Sequence, residues 1–396
     1  MPKGLVIKVA ENADELEQAY KVLHDAYLQN QLIDEDSSGM RITKYHALPA
    51  TTMIIAKHKN EVVATISIIL DNPLGLPIDT FTDIKQMRLE GNRICEFSSL
   101  AIKNDIKFRR GNLFMLMAAF VYRYIITLNV DNIVCVMNQR VATFYEALFG
   151  AEDITNKKCG YYEFVNTKGG DVAMCIPTSI ELYLAHRKKY YSNVPDNKNI
   201  WRFENYDFGS NFQLPKHEYY KGSDNCLTAE LLNVFFNKKT NILSQLSEKE
   251  KEILHYIYVN EEYTSLIPLE NKCFKVRRQH FRFPVSCSAT YINTQDNALI
   301  SLKVCEASSS GLSVWATSPE CLLSVELYEP ITLNVSLGPK KSAIIEGRVS
   351  YKNSHNMQIG MQITSVKGEE WAMFLEYLEK EYFRSGSIDK KKASTS

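Results

Sequence analysis

The chain has 396 residues, enough for two or three domains of ordinary size. Hydrophobic residues make up 45% and charged residues 23%, so there is apolar material for at least two cores and a wholly disordered chain is excluded. Lys plus Arg and Asp plus Glu are 46 each, and a formal net charge of +0 excludes a chain-wide electrostatic footprint for nucleic acid, leaving only local basic patches.

Nine cysteines are spread singly, with no CxxC pair, which argues against a zinc site and against a secreted disulfide framework. Reduced thiols in a cytoplasmic protein are expected. The eight histidines show no metal-ligand spacing, and no metal is expected. The start, MPKGLVIKVAENADELEQ, lacks the apolar run and cleavage site of a signal peptide.

The first elements are a strand at Val6 to Val9 and a helix from Asp14 to Leu28. The helix carries Leu16, Ala19, Tyr20, Leu23 and Tyr27 at helical spacing, with Asn12 as its cap and Glu15 three residues on. Thr52 to Lys57 and Glu61 to Leu70 read as strands about a short polar turn, and the Pro- and Gly-rich DNPLGLPID as loop. A strand follows at Ile94 to Ile102, then a polar basic loop, NDIKFRRG, and a long helix from Asn112. Its run LFMLMAAFVYRYIITLNV is apolar enough to be weighed as a membrane span. Arg123 near its middle would cost about 3 kcal/mol in a bilayer, so a buried helix is expected. Next come a strand at Asn132 to Met137, a helix at Val141 to Leu148 stopped by Gly150, and strands near Tyr161 to Val165 and Ala173 to Ile176. This alternation indicates a mixed α/β domain.

From Thr178 to Asn271 strand patterning is lost. Helices are expected at Leu227 to Phe236 and at Ser247 to Tyr258, the second with Ser247 and Glu250 as a capping box. From Phe274 the chain is strand-rich. SCSATYI, ALISLKVCEA, GLSVWA, PITLNVSL, AIIEGRVSYK and MQIGMQIT are short runs at turn-marked intervals, as in a small β-barrel. Glu369 to Phe383 reads as a closing amphipathic helix. The whole is α+β and multidomain. The expected divisions are 1–180, a mixed α/β domain; 181–271, a mixed or helical linker; 272–384, a six-stranded barrel with its helix; and 385–396, a disordered tail.

Three features of the first domain bear on chemistry. Glu96 lies on the strand ICEFSSLAI, where alternation puts Glu96, Ser98 and Leu100 on one face and Cys95, Phe97 and Ser99 on the other. Among apolar neighbours its carboxyl would have a raised pKa, as a general base for an amine needs, whereas a strand glutamate in an ordinary salt bridge is the plainer reading. The junction KFRRGNLFM combines Arg109, Arg110, Gly111 and Asn112 at a helix start, where free N–H groups and guanidinium charge suit a phosphate, or else form a solvated basic loop. The third is NQRVATFYEALFGAE, a short helix following a strand.

In that last stretch Asn138, Ala142, Tyr145, Leu148 and Gly150 match the pattern N-x3-A-x2-Y-x2-L-x-G of the GNAT acyltransferase superfamily, which the segment resembles. The resemblance implies that Tyr145 lies near the thioester sulfur and protonates the leaving thiolate, with Asn138 in the same catalytic set. Residues 5 to 180 further resemble the long-chain N-acyl amino acid synthases of the FeeM type, through Pro49, Ala50, Thr51, Asp71, Gly75, Leu76, Pro77, Glu96 and Leu100. These are similar in fold to acyl-homoserine-lactone synthases. The resemblance implies transfer of a fatty acyl group from the phosphopantetheine thioester of acyl carrier protein to the amine of an amino acid. The chain departs from that pattern at Gln139 and Val141, and the pyrophosphate loop is reduced to FRRGNL. The loop's loss suits a carrier-protein donor better than acetyl-CoA.

In the last domain Arg277 precedes an RxxxR formed by Arg278 and Arg282, and Glu306, Ser308 and Gly311 follow after a strand. This order resembles a PilZ domain, which implies a six-stranded barrel binding cyclic di-GMP as a regulatory ligand. Arginine forks pair with phosphate and stack on purines, Ser308 would meet a guanine edge, and Gly311 allows a tight turn. Glu306 departs from the usual Asp or Asn. The expected protein is a cyclic di-GMP-responsive N-acyltransferase with acyl carrier protein, an amino acid and cyclic di-GMP as partners, no nucleic acid, and room for peripheral membrane contact through its acyl product. The alternative is a non-catalytic cyclic di-GMP effector that uses the acyltransferase fold as a binding scaffold.

Overall fold

The structure, a computed structural model, describes residues 4–106, 110–156, 162–166, 170–195, 199, 209–270, 280–293, 298–354 and 357–383. It divides into two compact units, residues 1–46, 51–84 and 93–215, and residues 47–50, 85–92 and 216–396.

The first unit begins with β1 (Leu5–Val9), α1 (Ala13–Gln29), β2 (Thr51–His58) and β3 (Glu61–Leu70). A short α2 (Lys85–Leu89) belongs to the second unit. The first unit then continues through β4 (Ile94–Ile102), α3 (Arg110–Thr127), β5 (Asn132–Asn138), α4 (Gln139–Phe149), β6 (Glu152–Asp153), β7 (Asp171–Pro177), α5 (Ile180–Tyr191) and β8 (Phe212–Gln213). The strands form one sheet in the order β6-β7-β5-β4-β3-β2-β1-β8. β1 to β4 run as an antiparallel meander, while β4 and β5 are parallel and joined by the crossover helix α3. This is the mixed α/β architecture that the sequence leads one to expect.

Local chemistry accounts for the helices. The Asn12 side chain accepts from the Glu15 N–H at 3.0 Å and starts α1, whose Leu16, Ala19, Tyr20 and Leu23 are buried. Burial of a leucine such as Leu16 or Leu23 contributes roughly 1.5–3 kcal/mol by leaving water. α3 buries Leu113, Leu116, Met117, Phe120, Val121, Tyr124 and Ile125, and Tyr124 closes its hydroxyl on Thr52 at 3.0 Å. Among the described residues no helix is long and apolar enough to cross a membrane. Gly150 ends α4 in the left-handed conformation, at φ 67°.

Two expectations need correction. Residues 162–166 form a turn and not the strand expected near Tyr161 to Val165, of which Tyr161 lies outside the described residues. Their backbone is satisfied elsewhere: the Arg41 guanidinium donates to the Phe164 carbonyl and the Asn166 N–H to Leu32 at 2.6 Å. The stretch from 178 to 271 also contains sheet, because β8 pairs in parallel with β1. That stretch contributes to both units, which part at 215/216.

The second unit carries α6 (Ala229–Asn233), α7 (Ile242–Gln245), α8 (Glu248–Ile257) and α9 (Glu261–Thr264). The Ser247 hydroxyl accepts from the Glu250 N–H and the Glu250 carboxylate accepts from Ser247, so the capping box of α8 forms as its spacing predicts. The barrel consists of β9 (Phe283–Ile292), β10 (Leu299–Ala307), β11 (Gly311–Ala316), β12 (Pro330–Gly338), β13 (Lys341–Asn353) and β14 (Gln358–Lys367), with α10 (Pro319–Leu323) after β11. It closes in the order β10-β11-β14-β13-β12-β9, and every pair is antiparallel. Alternation fills the interior: Ile331, Leu333, Val335 and Leu337 of β12 are buried and the residues between them face outward. The closing helix α11 (Glu370–Phe383) buries Trp371, Phe374, Leu378 and Tyr382 along one stripe. Lys221, 5% exposed, ties α11 to the segment before α6 through Asp224 at 3.1 Å and Glu381 at 3.2 Å.

Candidate active site

The central feature of the first unit is a parting of strands. β4 and β5 pair over Ile94↔Asn132, Cys95↔Ile133 and Glu96↔Val134, and beyond Glu96 they diverge. A cavity of about 680 Å3 opens there, lined by Phe97–Leu100 on one strand and Cys135–Asn138 on the other. Apolar residues of α3, among them Phe114, Met117 and Val121, extend its wall.

β4 is bulged where it meets the cavity. Its register against β3 shifts between Thr65↔Ala101 and Ser67↔Ser98, and Ser99 has φ 58°. The bulge breaks the two-face alternation expected for ICEFSSLAI, so Phe97, Ser98, Ser99 and Leu100 all reach the cavity. A left-handed serine is uncommon, and here a buried histidine holds it. His46 Nδ1 accepts from the Thr43 N–H at 2.9 Å, so Nε2 carries the proton of the neutral ring. Nε2 then donates towards Ser67 Oγ at 3.2 Å and Ser99 Oγ at 3.3 Å. Burial, helped by the Arg41 charge, pushes the His46 pKa down to about 3 and keeps the ring neutral.

Glu96 is fully buried, just inside the point of divergence. One carboxyl oxygen accepts from the Ile78 N–H at 2.7 Å and the other from the Tyr162 hydroxyl at 3.3 Å. Burial drives its pKa well above the carboxylate range, and the two donors only partly oppose this. Tyr162 lines the cavity whereas Glu96 sits behind it. The phenol therefore stands between the carboxyl and the space a substrate would occupy.

Tyr145 faces the same cavity from α4. Phe114 packs on it edge-to-face at 5.9 Å, and Phe149 packs on it at a tilt at 5.6 Å. Burial raises its pKa, so it stays protonated. Among the described residues no hydrogen bond engages its hydroxyl. Asn138 also lines the cavity, but its side chain caps α4 by accepting from the Arg140 N–H at 3.1 Å. Of the expected phosphate site, Arg109 lies outside the described residues and α3 begins at Arg110. Gly111 and Asn112 are exposed in the first turn, with open space where a Gly111 Cβ would stand.

Residues 18–168 match the family of the N-acyl amino acid synthase FeeM. The match covers less than half of the chain. Among solved structures, FeeM from uncultured soil microbes is 20% identical, with 47% of this chain and 95% of that chain covered at a TM-score of 0.38. The CoA-dependent acyl-homoserine lactone synthase BjaI is 14% identical, with 54% and 95% covered at a TM-score of 0.36. The acyl-homoserine lactone synthase LasI is 15% identical, with 48% and 95% covered at a TM-score of 0.35. No curated protein matches the chain.

The structure also brings together part of the motif in the barrel. Arg277 and Arg278 lie outside the described residues. Arg282 Nη1 is 3.6 Å from a Glu306 carboxylate oxygen, and Glu306 sits at a bulge of β10. A side chain at Gly311 would stand 2.9 Å from the Met361 carbonyl and 3.4 Å from Arg282 Nη2, so glycine keeps this space open. Ser308 is buried and its hydroxyl closes the turn, donating to the Gly311 carbonyl at 3.0 Å and accepting from the Gly311 N–H at 3.1 Å. The hydroxyl expected at a guanine edge is thus engaged within the protein.

Sequence reasoning passed over Tyr162, Arg41, His46 and Ser99. In the run YYEF, Tyr162 and Phe164 are two apart, which was the one available sign that both face the same way.

Proposed function

We propose that the protein condenses a fatty acyl thioester, carried on the phosphopantetheine of acyl carrier protein, with the α-amine of an amino acid, and that cyclic di-GMP bound at the barrel sets the rate. The observation that carries the first part is the cavity at the β4–β5 divergence. At about 680 Å3 it has the size of a site for a drug-sized molecule, far more than an acetyl group needs, and its walls are mainly apolar. The thioester would lie between the diverging strands with its chain along α3.

The acceptor's ammonium gives one proton to the Tyr162–Glu96 pair. The free amine attacks the carbonyl carbon, forming the C–N bond. Backbone N–H groups of the bulged β4 face the developing oxyanion. The C–S bond breaks, Tyr145 protonates the departing thiolate, the second amine proton re-protonates Tyr145, and the proton held by the Tyr162–Glu96 pair leaves to solvent. The reduced FRRGNL loop supports a carrier-protein donor, whose phosphopantetheine bears one phosphate and no nucleotide.

For the barrel, the space held open by Gly311 beside Arg282 fits a phosphate approaching a guanidinium. The Glu306 carboxylate within 3.6 Å of that guanidinium must be displaced first. Mass spectrometry of lipid extracts from cells overproducing the protein, against cells making Glu96→Gln, tests the enzyme. A new N-acyl amino acid series lost in the variant is expected. No new lipid from folded protein would count against it. Calorimetry with cyclic di-GMP tests the barrel, and absence of heat would leave it a protein-contact module.

A further inference from the structure

Arg41 also borders the cavity. It is half-buried, and among the described residues no carboxylate lies within ion-pairing distance of its guanidinium. Among the described residues the one hydrogen bond of that group goes to the Phe164 carbonyl. Phe164 packs edge-to-face on Tyr162, with ring centroids 5.4 Å apart, and Tyr162 donates to Glu96. A permanent cation is thereby linked, through one short turn, to the group that receives the amine's proton. Two other arginines border the cavity, but Arg123 lies over the Phe212 ring at 5.5 Å and Arg187 over the Tyr183 ring at 5.8 Å. Burial without an anionic partner costs a guanidinium solvation, and a bound anion restores it.

We propose that Arg41 is the anchor for the acceptor's α-carboxylate, so that the enzyme selects amines bearing a carboxylate on the adjacent carbon. This rests on the acyltransferase reading above and adds the acceptor subsite to it. In an α-amino acid the two charged groups are separated by one carbon. A carboxylate forked on Arg41 turns the ammonium towards Tyr162 and away from the apolar acyl wall. A simple amine, an amide or an ester gains nothing from the guanidinium.

The test uses the purified full chain and two readouts. In the first, thiol release from a dodecanoyl-phosphopantetheine thioester is followed with a mixture of L-α-amino acids and with the same amino acids as carboxamides. The wild type is expected to prefer the acids. Arg41→Gln should raise KM for the acids roughly 10- to 100-fold, the range of a charge-assisted hydrogen bond, with little change for the amides. Arg41→Lys should restore part of the preference. In the second, calorimetry compares N-dodecanoylglycine with N-dodecanoylglycinamide, which share their chain and differ only in the anion. Tighter binding of the acid, lost in Arg41→Gln, supports the anchor even without turnover. Equal use of acids and amides by the wild type, or an acid-to-amide binding ratio unchanged in Arg41→Gln, overturns it. Failure of all acylation with the binding preference intact would instead strike at the acyltransferase reading alone.

Discussion

The Tyr162 hydroxyl donates to Glu96 at 3.3 Å, and it is the tyrosine, not the glutamate, that faces the cavity. A base in this position acts through a phenol. Tyr162→Phe removes the relay and also removes a donor that lowers the Glu96 pKa. Two changes are expected together: a fall in kcat approaching that of Glu96→Gln, which should lose about 10²- to 10⁴-fold, and an acid limb of the pH–rate profile moved further up. Initial-rate measurements across pH check this. An unchanged limb with unchanged kcat would remove Tyr162 from the proton path.

The raised Glu96 pKa has a consequence for stability, separate from catalysis. In the unfolded chain the group ionises near its ordinary 4.5, whereas in the folded protein it holds its proton to much higher pH. The folded state therefore binds more protons above 4.5, and stability falls as pH rises from there through the folded pKa. Glu96→Gln lacks this loss while keeping an acceptor for the Ile78 N–H. Its Tm relative to wild type should climb steadily with pH from about 5 to 9, measured by thermal denaturation in matched buffers. A Tm difference independent of pH would show that the carboxyl ionises normally.

Tyr145 is held between Phe114 and Phe149 with no hydrogen-bond partner among the described residues. Tyr145→Phe keeps that packing and loses only the proton. A fall of roughly 10- to 100-fold in kcat with little change in KM is expected, since a thiolate is already a fair leaving group. The decisive comparison is between an alkyl thioester and an aryl thioester. The aryl thiolate needs no acid, so the defect should shrink with it. An equal defect on both would make Tyr145 a packing residue.

Much of the fold was legible because its signals are local. The Asn12 and Ser247 caps, the αL stop at Gly150 and the alternation of β12 each depend on a few neighbouring residues. The motif that singled out Tyr145 and Asn138 is likewise contained in one short run, and Glu96 stands out within its own strand. What escaped depends on contacts across the chain. The turn at 162–166 is held by Arg41, 123 positions from Phe164, so the YYEF run looks like a strand until that partner is seen. The bulge at Ser99 rests on His46, 53 positions away, and it breaks the expected alternation of β4. In each case a polar group found a partner that no local pattern specifies.

At the barrel, the departure of the motif at Glu306 acquires a physical meaning. Its carboxylate lies 3.6 Å from Arg282, the second arginine of RxxxR, and would repel a phosphate entering the space beside Gly311. Ligand binding must break this pair, which at partial exposure is worth no more than about 1 kcal/mol, and must also overcome the like-charge contact. Glu306→Gln removes both costs and keeps the length of the side chain. Its affinity for cyclic di-GMP is expected to rise about 10-fold, with a steeper fall at high salt as Arg282 meets phosphate directly. Arg282→Ala should abolish binding in either background. Calorimetry of the three variants at two salt concentrations separates the outcomes. Unaltered affinity in Glu306→Gln would mean that the pair is a surface contact outside the ligand's path. Binding retained in Arg282→Ala would place the phosphate contacts on Arg277 and Arg278.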